Sequence, residues 1–274
     1  MLAGIFSRTY AAKREAAFAA IQADGFSAAQ LNLSSLGLES LPASLPEDVM
    51  LQAKADAAKH GVALVAVSGT YNMAHPDIAY RKAQRAKFAN VVRAAKLMGI
   101  GVVTLCTGSR DRDDMWVHHA DNRSPEAWRD FRVELDAVLL LAEGLTLAIE
   151  PEPGNVVADA KVARALLDQV RAPNLKIILD AVNLIGPDGL SRQHEIMAEA
   201  FDLLGADVVL AHAKDIDASG HVVPPGQGAV DLKTFAALLK RAKFSGGFIA
   251  HGFEEKDANA AGKALTTILG STSS

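Results

Sequence analysis

The chain has 274 residues, 50% of them hydrophobic and 5% aromatic, and its 28 Lys and Arg against 32 Asp and Glu give a formal net charge of -4. This length can bury a full-sized α/β core, and without a basic lobe no long phosphate-backbone partner is expected. One cysteine, Cys106 in the apolar run VVTLC, excludes an internal disulfide and reads as a buried core thiol.

Short apolar runs recur along the chain at residues 2–6, 26–33, 62–67, 101–106, 145–150, 175–180, 207–212 and 247–251. Most are continuously apolar, the pattern of strands covered on both faces in a parallel sheet. Amphipathic stretches separate them. Thr9 precedes the first, which Gly25 closes; Pro46 opens the second, which ends at Gly61. The third runs over residues 81–98 to Gly99, and the fourth from Ser124-Pro125 to Glu143. Asp159, Ser191 and Asp231 are expected N-caps of the next three helices, and Asp257 starts the last. The tail, about 271–274, is expected to fray. Eight βα units of about 34 residues, undivided by any Pro/Gly/Ser-rich linker, predict one (β/α)8 TIM barrel domain over residues 1–274 rather than an open doubly wound sheet.

No apolar run approaches the roughly 20 residues of a membrane helix. The opening MLAGIFSRTY also lacks the basic and apolar regions of a signal peptide. A soluble, cytoplasmic protein with no membrane or nucleic-acid partner is therefore the expectation.

Barrel enzymes carry their chemistry at the C-terminal strand ends. Here the last four strands end in Glu150, Asp180, His212 and His251. Each taken alone has a plain structural reading as a cap, a salt-bridge partner or a hydrogen-bonded core group. Four in succession at one topological position point to convergence around one mouth. Carboxylates brought together there repel, and a divalent cation removes that cost. Carboxylate and imidazole donors without thiolates suit one Mn, Zn, Co or Mg ion per chain.

At these residues the chain resembles the xylose isomerase-like barrels, the sugar phosphate isomerase/epimerase group, over its whole length and most strongly from about 145 to 254. Glu150 and Asp180 stand where that group has its strand-five Glu and strand-six Asp, the latter after Pro173-Asn174-Leu175. His212 with Lys214 and Asp215 matches an H-x-K-D context, and Pro225, Gly226, Gly228 and Asp231 match the segment that follows. The resemblance implies metal-assisted proton transfer beside a carbonyl: one metal-bound glutamate removes a proton, a cis-enediolate is stabilised, and a second glutamate returns a proton. Two departures bear on that mechanism. The group's strand-eight Glu is replaced by His251, so either His251 is the fourth ligand, the preferred reading, or Glu254 reaches in. The His that the group often carries three residues after the Asp is Asn183 here, which cannot shuttle a proton.

Catalytic candidates are therefore Glu150, His251 and Glu254. Candidate substrate contacts are Arg8 after the first strand and Tyr71 and His75 after the third, then Trp116, His118 and His119 in the long loop after the fourth. Glu152, Asn183 and Lys214 complete the set. The segment PPGQG lacks the lysine and helix context of a P-loop. The leading expectation is a metal-dependent isomerase or epimerase of a small sugar, sugar phosphate or polyol derivative in carbohydrate metabolism. The alternatives are a metal-dependent lyase or dehydratase on the same barrel and a non-catalytic binding barrel, with homo-oligomerisation left open. An endonuclease IV-like phosphodiesterase is disfavoured, because Ser34-Ser35 and Ser68 stand where its extra histidines would be needed.

Overall fold

The computed structural model describes residues 1–271. Eight parallel strands close into a barrel: β1 (Leu2–Phe6), β2 (Ala28–Leu31), β3 (Ala63–Ser68), β4 (Val102–Leu105), β5 (Thr146–Ile149), β6 (Leu175–Asp180), β7 (Val208–Ala213) and β10 (Gly247–Ala250). Each pairs with its neighbour in sequence, and β1 closes the ring on β10 with Leu2 opposite Gly247. Two short strands, β8 (Asp215–Ile216) and β9 (Val222–Val223), form a separate antiparallel pair in the loop after β7.

The connecting helices are α1 (Glu15–Ala23), α2 (Glu47–Lys59), α3 (Ile78–Met98), α4 (Pro125–Leu141), α5 (Ala160–Val170), α7 (Gln193–Leu204), α8 (Leu232–Arg241) and α9 (Ala258–Ser271), with a short α6 (Ala181–Ile185) directly after β6. Their caps follow from side-chain chemistry. Ser124 Oγ accepts from Ala127 N at 3.1 Å, Asp159 from Val162 N at 2.9 Å and Asp231 from Thr234 N at 2.9 Å. The expected cap Ser191 lies instead in a 3-10 turn, and α7 begins two residues later at Gln193; Thr9 likewise ends a 3-10 turn well ahead of α1 at Glu15, whereas α9 begins at Ala258, directly after Asp257. The third helix starts earlier than its basic stretch suggests, because Asp77 caps it by accepting from Ala79 N at 2.7 Å. Ser271 ends α9, and the rest of the expected frayed tail lies outside the described residues. None of the described helices is long and apolar enough to cross a membrane.

Most of the core lies between barrel and helices, where fully buried Phe18, Phe88, Phe131 and Phe235 pack. A smaller cluster of Ala66, Ala148, Ile178, Leu210 and Ile249, with Val102 and Phe6 against it, fills the barrel interior. Side chains two positions apart on a strand share a face. Two residues after this apolar layer therefore comes a second inward layer: Ser68, Thr104, Glu150, Asp180, His212 and His251. Gln30 occupies the same level on β2, and the site rests on this polar layer at the C-terminal mouth.

Candidate metal centre

Glu150, Asp180, His212 and His251 are brought together: one donor atom from each lies within 4.8 Å of the others. His212 Nδ1 is 3.1 Å from Glu150 Oε1 and 3.9 Å from Asp180 Oδ2, and His251 Nε2 is 3.2 Å from Asp180 Oδ2. The two imidazoles meet edge to face with centroids 4.5 Å apart. Donors placed about 2.0–2.2 Å from one cation lie roughly 3 to 4.4 Å from each other, so the separations and the mixed carboxylate–imidazole chemistry fit a divalent ion.

Asp180 performs two tasks at once. Its Oδ1 caps α6, accepting from Val182 N at 2.8 Å and Asn183 N at 3.4 Å, while Oδ2 faces the histidines. Because α6 begins immediately after the strand, Asn183 is carried back over the mouth. Its amide Nδ2 donates to Glu150 Oε1 at 2.9 Å and Glu152 Oε2 at 2.6 Å, and its Oδ1 accepts from Lys214 Nζ at 3.3 Å.

Three carboxylates thus gather in a partly buried space beside one ammonium, and the titration of the site reflects the crowding. Burial, with Glu150 beside it, pushes Glu152 up to about 7. Burial alone would raise Asp180, but the hydrogen bond from His251 and the charge of Lys214 hold it below the usual carboxylate range. His212 is also buried, which disfavours its charged form, yet Glu150 and Asp180 keep its pKa above the ordinary imidazole value. Burial and the neighbouring His212 push His251 the other way. With the histidines neutral and the carboxylates ionised, the group carries two formal negative charges that a divalent cation would cancel.

A cavity of about 490 Å³ opens above these residues. Arg8, Trp116, Glu152 and Lys214 line it, as do Phe6, Asn32, Ser68 and Thr104. The remaining candidates lie elsewhere. Tyr71 is buried and donates to Glu134 Oε1 at 2.7 Å, which Arg85 also binds. His75 stacks on Tyr80 with centroids 4.0 Å apart, bonded to Arg112 O and Asp77 N. His118 is exposed, and His119 caps the 3-10 turn Ala120–Arg123. Glu254 is exposed and pairs with Lys256 at 2.6 Å, so of the two readings of the fourth position His251 alone stands among the converging donors. Cys106 is buried and donates to Tyr71 O, its pKa raised by burial.

The loop after β4 is held as a wall. Asn155 Oδ1 accepts from Gly108 N and its Nδ2 donates to Met115 O, both at 2.9 Å, while Asn122 Nδ2 donates to Gly154 O at 2.8 Å. A side chain at Gly154 would collide with the Trp116 carbonyl, so the bare backbone lets the two loops touch. Sequence reasoning missed Asn155 and Asn122, whose contacts between the two loops span 32 to 47 residues. It missed Gln30 as well, although a lone amide inside the apolar run FSAAQLNL was a readable signal.

The model of the xylose isomerase-like TIM barrel family matches residues 18–268. Comparison with curated protein sequences finds no match. Among solved structures, a D-tagatose 3-epimerase-like protein is 16% identical, covers 99% of this chain and 98% of its own, and superposes with a TM-score of 0.78. An IOLI protein with a bound zinc atom is 17% identical, covers 100% of both chains and has a TM-score of 0.71. A fusion of a xylose isomerase-like TIM barrel with 4-hydroxyphenylpyruvate dioxygenase is 16% identical with a TM-score of 0.74; it covers 99% of this chain, which spans only 43% of the fusion. At such identities the structural likeness speaks for the fold. The family match, extending over almost the whole barrel, identifies the chain as a member of the xylose isomerase-like TIM barrel family.

Proposed function

We propose that the protein is a divalent-metal-dependent isomerase or epimerase acting on a small sugar, sugar phosphate or polyol derivative. The observation that carries this reading is the convergence of Glu150, Asp180, His212 and His251 beneath an open polar cavity. Glu150, Asp180, His212 and His251 would hold the ion, which supplies Lewis acidity where negative charge develops beside a substrate carbonyl. Glu150 is the base that takes the proton from the carbon next to that carbonyl. Asn183 fixes its carboxylate by hydrogen bonding and is itself held by Lys214, whose Nζ donates to its Oδ1. Trp116 offers an apolar face to a sugar's C–H side, and Arg8 and Glu152 provide polar contacts around the cavity.

The second reading is a lyase or dehydratase on the same site. It is favoured by His251 standing where a second carboxylate would serve two-base epimerisation. Proton abstraction by Glu150 is common to both, and the fate of the abstracted position separates them.

Metal analysis of the wild type, Asp180→Ala and His251→Ala, followed by deuterium exchange into a panel of ketoses, tests the proposal. About one divalent ion per chain is expected in the wild type, with loss in Asp180→Ala and weakening in His251→Ala, and solvent deuterium should enter the substrate carbon beside the carbonyl. A wild type without metal affinity would overturn the reading. Metal binding with elimination products in place of exchanged ketose would select the lyase.

A further inference from the structure

We propose that Gln30 sets the tautomer of His212 and so presents His212 Nδ1 as a lone-pair donor to the metal group. This inference rests on the metal reading above. Gln30 is buried on β2, across the barrel from His212 on β7, at 5% exposure inside an otherwise apolar strand. A buried amide without partners would be costly, and this one is fully engaged. Its Oε1 meets His212 Nε2 at 2.8 Å, and its Nε2 donates to Ser68 Oγ at 3.2 Å and Thr104 Oγ1 at 3.5 Å.

A neutral imidazole has one N–H and one lone pair. With the amide oxygen against Nε2, that nitrogen carries the hydrogen and donates it to Gln30. Nδ1 is then a bare lone pair, 3.1 Å from Glu150 Oε1 and 3.9 Å from Asp180 Oδ2. Facing these two carboxylate oxygens, the lone pair calls for a positive charge between them, a proton in the metal-free protein and the metal ion when it binds. Rotating the amide by half a turn reverses everything. Its NH2 would donate to Nε2, and the hydrogen would move to Nδ1 to be donated to Glu150. In that arrangement the site is satisfied without a cation, and His212 cannot ligate through Nδ1. Ser68 and Thr104 hydroxyls both donate and accept, so they support either orientation. Glutamine can serve both states, and the metal-competent one has its oxygen on His212. A histidine ligand whose second nitrogen donates to a fixed oxygen is also a stronger donor to the ion.

The test uses Zn²⁺ as probe and the full chain, with calorimetric titration of the wild type, Gln30→Met and Gln30→Glu, and ¹⁵N spectra of the histidine rings. Gln30→Met keeps the volume and removes the strong acceptor; Gln30→Glu keeps an acceptor at the same reach. Gln30→Met is expected to lose about 10- to 100-fold in Zn²⁺ affinity, whereas Gln30→Glu stays close to wild type. In the wild-type zinc complex His212 should be protonated on Nε2 and metal-bound on Nδ1. Unchanged affinity in Gln30→Met, or zinc on Nε2, would overturn the inference while leaving the metal site itself intact. A wild type that binds no zinc would instead remove the metal reading and this inference with it. Should Gln30→Met not fold, the wild-type ring spectrum and Gln30→Glu still decide.

Discussion

His212 joins two opposing demands in one side chain: burial favours its neutral form, and the carboxylates of Glu150 and Asp180 favour its cation. The carboxylates prevail in the metal-free protein, so its pKa lies above the ordinary imidazole value. Only the unprotonated ring can ligate, and protons therefore compete with the metal. Above the raised pKa affinity is independent of this group, and as pH falls through that pKa affinity declines, approaching tenfold per pH unit for one displaced proton. Zinc titrations between about pH 5.5 and 8 should show this slope on the acid side, together with a proton release that scales with buffer ionisation enthalpy. Affinity that stays flat across the interval would mean His212 does not ligate. Glu150, Asp180, His212 and His251 were all visible in the sequence, because each ends an apolar strand run. Gln30 lies inside its run rather than at the end, and its partner is 182 residues distant. Tyr71 and His75 stand near the same mouth in sequence. Their contacts with Glu134 and Tyr80 place them among structural pairs that no local pattern announces.

At the level of elements, apolar runs and breakers located every barrel strand, because burial on both faces leaves a continuous hydrophobic signature. They did not reveal α6 or the β8–β9 pair, which are too short to show a period. These short pieces matter to the site: α6 carries Asn183, and its cap is Asp180 itself. The loop after β4 illustrates how a long polar segment becomes a fixed surface. Asn155 is buried and satisfies one backbone N–H and one backbone C=O of that loop. Asn155→Ala would leave both without this partner, each loss costing about 1–3 kcal/mol. A destabilisation of about 2 kcal/mol or more is therefore expected in urea unfolding. Faster amide exchange in the loop around Met115 and Trp116 should accompany it. A change below about 0.5 kcal/mol, within the range of ordinary surface substitutions, would show that the wall is held by other contacts.

For the whole molecule, closure of the barrel brings the four donors from four successive strands, β5, β6, β7 and β10, to one point. No two of these donors are closer than 30 residues in the chain, so the unfolded chain has no comparable site. An ion that binds the folded barrel alone must then stabilise it by mass action, by about 2.7 kcal/mol when its free concentration is 100 times Kd. For a barrel of this size a gain of that order raises Tm by roughly 5 to 10 °C. Thermal unfolding followed with increasing Mn²⁺ or Zn²⁺, and again with excess chelator, should show Tm rising with the logarithm of metal concentration and returning to its metal-free value. Asp180→Ala should respond to neither, because it removes a donor shared between both histidines. That substitution also removes the cap of α6, so its metal-free Tm should fall below that of the metal-free wild type. Equal metal-induced shifts in the wild type and Asp180→Ala would mean that the ion binds elsewhere on the barrel.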